Sequence, residues 1–457
     1  MSSPVVDPVD VVVVGAGMAG LCASVAALER GARVLVIEKG PRAGGSMFLS
    51  GGLVWTFTDK ARLRKELPDG DEALQDLVMD SLGPSLNWLE SHGIAVGPEQ
   101  PFMWYGRGRR VEPPTLTQAL VRRVAELGGG VRLRTPMLGL MWEGCLVRGV
   151  EVWTPDGSMK IPAGRVVLAT GGFQGNAELL ARYVTPYADR CYVRSNPWST
   201  GDGLVSAQAA GAALSPWLST FYGHAVVAPP ARFAAEEFWG ISQRYGQQAV
   251  ALNLEGRRFV DESAGTGEEY LNQAVARQPG ATAVYLVDRA IAEMSLHGAN
   301  PPRPAIDRAV GSGGPVLRAD TLEAMCDSLQ DWGIPATRSL ETLRQYNAAI
   351  GSGSSDELYP PRHKNRLMLV EPPFTAVQVR PGITFTCGGL ATDTDMRVLH
   401  RARTNSVLPL VTADASDFLW GYVENLYAAG SDVGGVHNYG YMGGLATALV
   451  TGRIAGS

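Results

Sequence analysis

The chain has 457 residues, of which 45% are hydrophobic and 19% charged, and carries a net charge of −5. That length exceeds what one hydrophobic core usually supports, so two domains, or one large domain carrying an insertion, are expected. The composition is that of an ordinary globular enzyme; it excludes a disordered or fibrous chain, and no basic excess marks a nucleic-acid partner. Five widely spaced cysteines (Cys22, Cys145, Cys191, Cys326 and Cys387), without a CxxC pair or a nearby histidine cluster, argue against a disulfide framework and a metal site. The apolar run Val9 to Val14, broken by Asp10, is too short for a bilayer and lacks the flank of a secretory signal. No membrane span and a cytoplasmic location are therefore expected.

In chain order, Val11 to Val14 reads as a buried parallel strand, followed by a glycine-rich turn, an Ala-rich helix over Leu21 to Arg30 and a second strand over Ala32 to Ile37. This is a compact βαβ unit of the dinucleotide-binding kind. Short alternating segments follow at Leu138 to Trp142, Leu146 to Trp153 and Met159 to Ile161, divided by Gly144 and Asp156-Gly157. They predict an antiparallel meander that returns to the main sheet through Arg165 to Thr170. Residues 223–380 are richer in proline, with strand candidates at Ala249 to Leu254 and Ala283 to Val287 and an exposed loop at Gly351 to Ser355. They are assigned to an inserted α+β cap domain. Short strands then lead to an Ala/Gly-rich helix over Gly444 to Ala455, which rejoins the first domain. The expected fold is α/β, a Rossmann-like domain of the glutathione-reductase type formed by 1–222 and 381–457, with the cap at 223–380.

Gly15-Ala16-Gly17-Met18-Ala19-Gly20 is a complete GxGxxG between the first strand and the helix, with Glu38 ending the second strand. Gly15 allows the tight turn, Gly17 lets the backbone approach a pyrophosphate, and Gly20 lets helix pack on strand. The helix N-terminus offers N–H groups to the phosphates, and Glu38 is placed to accept ribose hydroxyls. Gly44-Gly45-Ser46 and Ser50-Gly51-Gly52 form a second Gly/Ser-rich loop suited to a ribityl chain and a flavin edge, which favours FAD over NAD. Ala169-Thr170-Gly171 after the meander, and Gly430 with Asp432 after the small-residue strand Leu426 to Ala429, extend the set, Asp432 being suited to a ribityl hydroxyl. Lys39, Met137, Asp202, Gly444, Leu445 and Ala446 are included among the expected cofactor contacts.

In these motifs the chain resembles the flavoprotein family of fumarate reductase and succinate dehydrogenase, which includes the 3-ketosteroid dehydrogenases. The likeness also rests on Gly201-Asp202-Gly203, on Asn253-Leu-Glu-Gly-Arg-Arg-Phe-Val-Asp-Glu262, on Thr386-Cys-Gly-Gly-Leu390, on Gly434-Gly-Val-His437 and on Gly443-Gly444. The resemblance implies an FAD domain, a cap over the isoalloxazine, and hydride transfer between flavin N5 and a substrate carbon. It also implies that the last helix points its N-terminus at the flavin pyrimidine, where its dipole favours the anionic reduced form.

Three positions depart from the fumarate-reducing members. Thr266 stands where the resemblance implies an arginine acid, Phe385 where it implies a carboxylate-binding histidine, and Tyr441 where it implies a clamping arginine. A dicarboxylate would lose its charge-assisted pairs, so a different substrate is expected. Tyr441 matches the ketosteroid dehydrogenases, where a phenol stabilises developing charge on a substrate carbonyl oxygen. Tyr270 is a candidate base if its segment is helical, because it would then share a face with Thr266. Tyr439 is a further candidate by proximity. His437 is expected to serve its own loop, and His224 to be a structural histidine or to line the pocket. Phe102, Trp104 and Tyr105, with Arg107, Arg109 and Arg110, are candidate cleft-wall residues or simple packing.

The expected function is hydride transfer between flavin and a C–C bond next to a carbonyl on an apolar or cyclic substrate, as a desaturase or ene-reductase. Alternatives are a flavin monooxygenase or oxidase, a dicarboxylate enzyme of the fumarate reductase type, and a non-catalytic flavin protein. A monooxygenase would carry a late Gly-Asp-Ala-Ala-His-type motif, where only Gly430-Ser-Asp432 is found. No histidine lies between Gly40 and Glu90, so FAD is expected to be non-covalent. Without a CxxCH heme motif, electrons are expected to pass to a diffusible or protein carrier.

Overall fold

The computed structural model describes residues 7–234, 237–296, 300–401 and 421–457. Two compact units emerge: 1–176, 196–218 and 385–457 form the first, and 177–195 with 219–384 the second. The stretch 177–195, assigned from sequence to the first domain, has its contacts in the second unit. Thr185 shows one reason, its hydroxyl donating to the carbonyl of Ala276 at 2.6 Å.

The first unit is built on an eight-stranded sheet of described residues. Val9–Val14 lies at its centre, parallel to Val34–Ile37 on one side and to the end of Gly157–Leu168 on the other. Val11 to Val14 are all buried, as expected for a strand covered on both faces. The helix Met18–Glu29 is buried on every side from Met18 to Leu28. Backbone contact explains how: Gly452 and Gly456, in and just after the last helix Gly444–Ala455, lie against the backbone of Ala19 and Ala23, where a Cβ would collide.

Gly157–Leu168 runs through Pro162 as one strand where the sequence reading divides it in two. Its first half pairs antiparallel with Leu146–Thr154, and its second half parallel with both Val9–Val14 and Gly421–Ala428. Pro162 does not break the run: it stands opposite Gly149, which at φ +140° and without a side chain lets the two backbones approach closely there. A separate three-stranded sheet, Leu53–Phe57, Gly106–Arg110 and Glu99–Phe102, belongs to the same unit.

The second unit contains an antiparallel five-stranded sheet with Phe374–Arg380 and Ala283–Val287 in the middle. Its core includes Val284, Tyr285, Leu286, Val377 and Val379. Arg362, fully buried, is paired with Glu262 at 3.0 Å, and Arg258 reaches the same carboxylate at 2.6 Å. Glu262 also accepts the amide of Ala251, which ties the pair to the strand Val250–Asn253. The expected exposed loop at Gly351 to Ser355 is only partly one. The helix Ala336–Ser352 extends into it, Gly353 at φ +78° ends the helix, and Ser355 is buried with its hydroxyl on the carbonyl of Arg362.

Candidate functional site

The first strand ends at Gly15, whose φ of +108° turns the chain. A Cβ on Gly20 would meet the carbonyl carbon of Gly15 at 3.0 Å, so the helix can sit on the turn only with glycine there. That helix begins at Gly17 without a side-chain cap and without an acidic residue in its first turn, leaving its N–H groups to an external anion. Glu38 is buried and braces the loop, accepting from Ala16 N at 2.8 Å and Gly40 N at 2.6 Å. An ionised carboxylate has about four acceptor sites, so ribose hydroxyls still find two.

The second Gly/Ser-rich loop folds onto the first. Gly44 N donates to the carbonyl of Ala16 at 2.8 Å, and a Cβ on Gly45 would lie 3.2 Å from Gly17 Cα. Ser46 accepts from Asn196 N at 3.4 Å, while Ser50 accepts from Gly52 N at 3.2 Å. Gly51 presents its carbonyl to Arg110. Lys39 binds Thr200 and Asp202, the latter at 2.6 Å. Met137 opens the strand Met137–Glu143 and is buried beside Val152.

Asp432 ties neighbouring segments together. Its carboxylate accepts from Thr170 N at 2.5 Å, from the Thr170 hydroxyl and from Gly172 N at 3.1 Å. These contacts knit Ala169, Thr170 and Gly171 to the turn that holds Gly430, whose own N–H rests on Thr451. Burial pushes the Asp432 carboxyl above its ordinary value, against the pull of the Thr170 donors.

Tyr441 precedes the last helix and its hydroxyl accepts the Gly444 N–H at 2.9 Å. Its ring lies among aromatics, with centroids 5.4 Å from Trp55, 5.7 Å from His437 and 6.0 Å from Phe385. Trp55 continues the wall to Phe102 at 4.2 Å, and Phe57 stacks on Tyr105 at 5.3 Å. Leu445 and Ala446 follow in the first turn of the helix.

The family model described as FAD binding domain matches residues 10–446. The chain belongs to that family. A probable fumarate reductase of Shewanella frigidimarina is 28% identical over 98% of this chain and 74% of its own length. A vinyl phenol reductase of Lactiplantibacillus plantarum is 25% identical over 94% and 91%. The crystal structure of 3-ketosteroid delta1-dehydrogenase from Sterolibacterium denitrificans superposes with a TM-score of 0.73 at 20% identity, covering 99% of both chains. The fold is that of FAD-binding flavoproteins of the fumarate reductase and ketosteroid dehydrogenase type, as the sequence motifs implied.

The residues fit FAD. The helix N-terminus is uncapped and could take a pyrophosphate, the glycine backbones of both loops are in close approach, and Glu38 has lone pairs left that a ribose could use.

The remaining candidates separate. His437 accepts from Met442 N at Nδ1 (3.3 Å) and meets the Thr447 hydroxyl at Nε2 (3.2 Å). Burial pushes its pKa down to about 3, so it stays neutral and holds its loop on the helix. Tyr439 turns its ring edge to Trp217 at 5.6 Å. Arg109 is engaged by Glu90 and Arg110 by Gly51, both from the strand Gly106–Arg110. Trp104 packs edge-on to Tyr105.

Tyr270 does not share a helical face with Thr266. The helix Glu269–Ala276 starts only after Gly265, at φ +74°, and Gly267 have broken the run, while Thr266 turns its hydroxyl to Glu269. Sequence reasoning missed Trp55 and Phe57, whose signal was an aromatic pair two residues apart on a strand. It also missed Tyr222, Glu268 and Tyr285 around His224. The available signals were Tyr-Gly-His spacing and two adjacent acids, Glu268 and Glu269, at the start of a helix.

Among the described residues, no helix is long and apolar enough to cross a membrane.

Proposed function

We propose that this FAD-dependent oxidoreductase, acting on CH–CH groups, transfers hydride to or from a carbon–carbon bond conjugated to a carbonyl or an aromatic ring, on an apolar or cyclic substrate. The carrying observation is Tyr441, a phenol bonded to the first amide of the last helix and walled by Trp55, Phe385 and His437. Relatives that reduce fumarate or vinyl phenols, by their names, support C=C chemistry. The aromatic surroundings of Tyr441 favour the apolar end of that range.

Gly15 to Gly20, Glu38, Gly44 to Ser46 and Thr170 to Gly171 would hold the FAD without a covalent bond. When bound, FAD supplies the two-electron hydride exchange. Tyr441 Oη accepts the Gly444 N–H, and this polarisation strengthens it as a donor. Aimed at a substrate carbonyl oxygen, it stabilises the charge that grows there. Trp55 and Phe385 exclude water and offer ring faces for stacking. We place the enzyme in the cytoplasm, with a diffusible or protein electron carrier; odd, scattered cysteines support a reducing compartment.

The test is anaerobic: reduce the holoenzyme, add cyclic enones, vinyl phenols or fumarate, and follow flavin absorbance. Rapid reoxidation by the enones or aryl alkenes, with little by fumarate, is expected. Reoxidation by dicarboxylates alone would remove the proposal, and consumption of oxygen with hydroxylated product would move the enzyme to the monooxygenase class.

A further inference from the structure

Trp198 is a large apolar side chain left 46% exposed, and it stands beside the carboxylate to which the motif reading gives the adenosine ribose. Gly40 fixes its place. A Cβ built on Gly40 would lie 2.9 Å from Trp198 Cδ1, 3.2 Å from its Nε1 and 3.1 Å from Glu38 Oε1. The indole edge and the Glu38 carboxylate therefore stand on one side of the same backbone atom, and only glycine at 40 lets the indole come so near. Among the described residues no hydrogen bond takes Trp198 Nε1, and no aromatic ring or guanidinium covers either face of the indole.

The backbone that carries this side chain is tied down on both flanks, within the first unit. Asn196 Oδ1 accepts Trp198 N at 3.2 Å, and Asn196 N reaches Ser46 of the second glycine loop at 3.4 Å. The carbonyl of Ser199 accepts Gly175 N at 2.8 Å, and Gly201 N rests on the carbonyl of Gly172 at 3.0 Å. Thr200 and Asp202 both bind Lys39, the residue between Glu38 and Gly40. The ring is thus presented at a set place before any ligand arrives, which lowers the ordering cost of binding.

The chemistry that fits this place is a purine. Glu38 already accepts from Ala16 N and Gly40 N, and its remaining lone pairs suit ribose hydroxyls. A base leaves that sugar from the carbon next to the one bearing the 2′-hydroxyl, so an adenosine bonded to Glu38 carries its adenine within reach of Trp198. Stacking a base on an aromatic side chain needs only a bare ring face, and Trp198 has one. The other exposed tryptophans lack this setting. Trp104 packs on Tyr105, Trp239 lies under Arg244, and Trp142 and Trp153 stand on the meander strands.

We propose that Trp198 is the adenine platform of the FAD site, its indole stacking on the base while Glu38 holds the ribose. The inference goes beyond the alkene chemistry and rests on Glu38 as the ribose acceptor. Trp198 supplies affinity and cofactor choice and takes no part in hydride transfer. A flavin that lacks the adenosine half, such as FMN, leaves the indole without a partner, so this residue helps the protein to prefer FAD. Gly40 serves the same end by giving the indole room beside Glu38.

Two measurements on the holoenzyme test this. The first is the dissociation constant of FAD, read from flavin fluorescence in the filtrate of serially diluted protein. Trp198→Ala should raise it about 10- to 100-fold, the range for one base stacked on an aromatic ring, and Trp198→Phe, which keeps a ring, less than about fivefold. An unchanged constant in Trp198→Ala overturns the proposal. The second exchanges the bound cofactor for etheno-adenine FAD, whose base fluoresces and is quenched by a stacked indole. The base should be dark in wild type and bright in Trp198→Ala; equal emission in the two overturns the stacking even where affinity has fallen. Glu38→Gln tests the premise separately. If that variant binds FAD as wild type does, the ribose assignment fails and the proposal with it; if it binds FAD weakly while Trp198→Ala does not, the platform alone is wrong. No readout here uses a substrate, so failure of the alkene reading leaves all of them standing.

Discussion

Replacing Tyr441 by phenylalanine removes a hydroxyl that accepts from Gly444 N at 2.9 Å but keeps the ring against Trp55 and Phe385. The helix loses one acceptor at its N-terminus, a cost of about 1 kcal/mol, so the fold and the flavin content should persist. If Tyr441 stabilises charge on the substrate, Tyr441→Phe should lower kcat by roughly 100- to 1,000-fold, as the loss of one oxyanion-hole donor does. Stopped-flow reoxidation of the reduced variant measures this, and an unchanged rate would leave Tyr441 as packing. At this scale the sequence was legible where one residue has one steric reason to be there. Gly15 and Gly20 are such cases, because turn and contact admit only glycine. The bonds of Asp432 to the amides of Thr170 and Gly172 were not, because a carboxylate after a small-residue strand does not disclose its backbone partners.

Among elements, the second unit depends on a fully buried ion cluster. Burial alone would raise the Glu262 carboxyl, but the Arg258 hydrogen bonds and the Arg362 charge outweigh it and hold it below its ordinary value. Such a group gives stability that is present above the unfolded pKa of about 4.3 and is lost as pH falls through the folded one. Arg362→Met should therefore destabilise the protein by about 3–5 kcal/mol at neutral pH, the usual cost of stranding one partner of a buried pair. That cost should shrink as pH falls toward 4, where Glu262 can take a proton instead. Melting curves of both proteins across pH 4–8 measure it, and a pH-independent difference would contradict the assignment. Strands and helices of the first unit were legible from β-branched runs and glycine punctuation. The start of the Ala-rich helix, at Met18 instead of Leu21, and the unbroken passage through Pro162 were not, since the close approach of Gly149 on the partner strand decides the latter.

For the whole molecule, the cofactor assignment was legible because GxGxxG, Glu38 and the second glycine loop are separate signals, and the structure joins them through Gly44 and Ala16. The His224 cluster was hidden because Tyr222, Glu268 and Tyr285 are far apart in the chain and meet only when the sheet of the second unit forms. Because no histidine lies between Gly40 and Glu90, denaturing the holoenzyme in acid should leave yellow FAD in the supernatant. Free FAD at 100 times its dissociation constant should add about 2.7 kcal/mol to stability, raising the melting temperature. Flavin that precipitates with the protein would show a covalent bond.

The glycine-loop helix Met18–Glu29 lies directly against the last helix, with Gly452 and Gly456 on the backbone of Ala19 and Ala23. A nascent chain halted before residue 444 has translated every glycine of the nucleotide motif, yet that helix still shows an apolar flank to water. Productive flavin capture is then expected only once the helix Gly444–Ala455 has been made, and ribosome-bound intermediates halted before it should remain colourless.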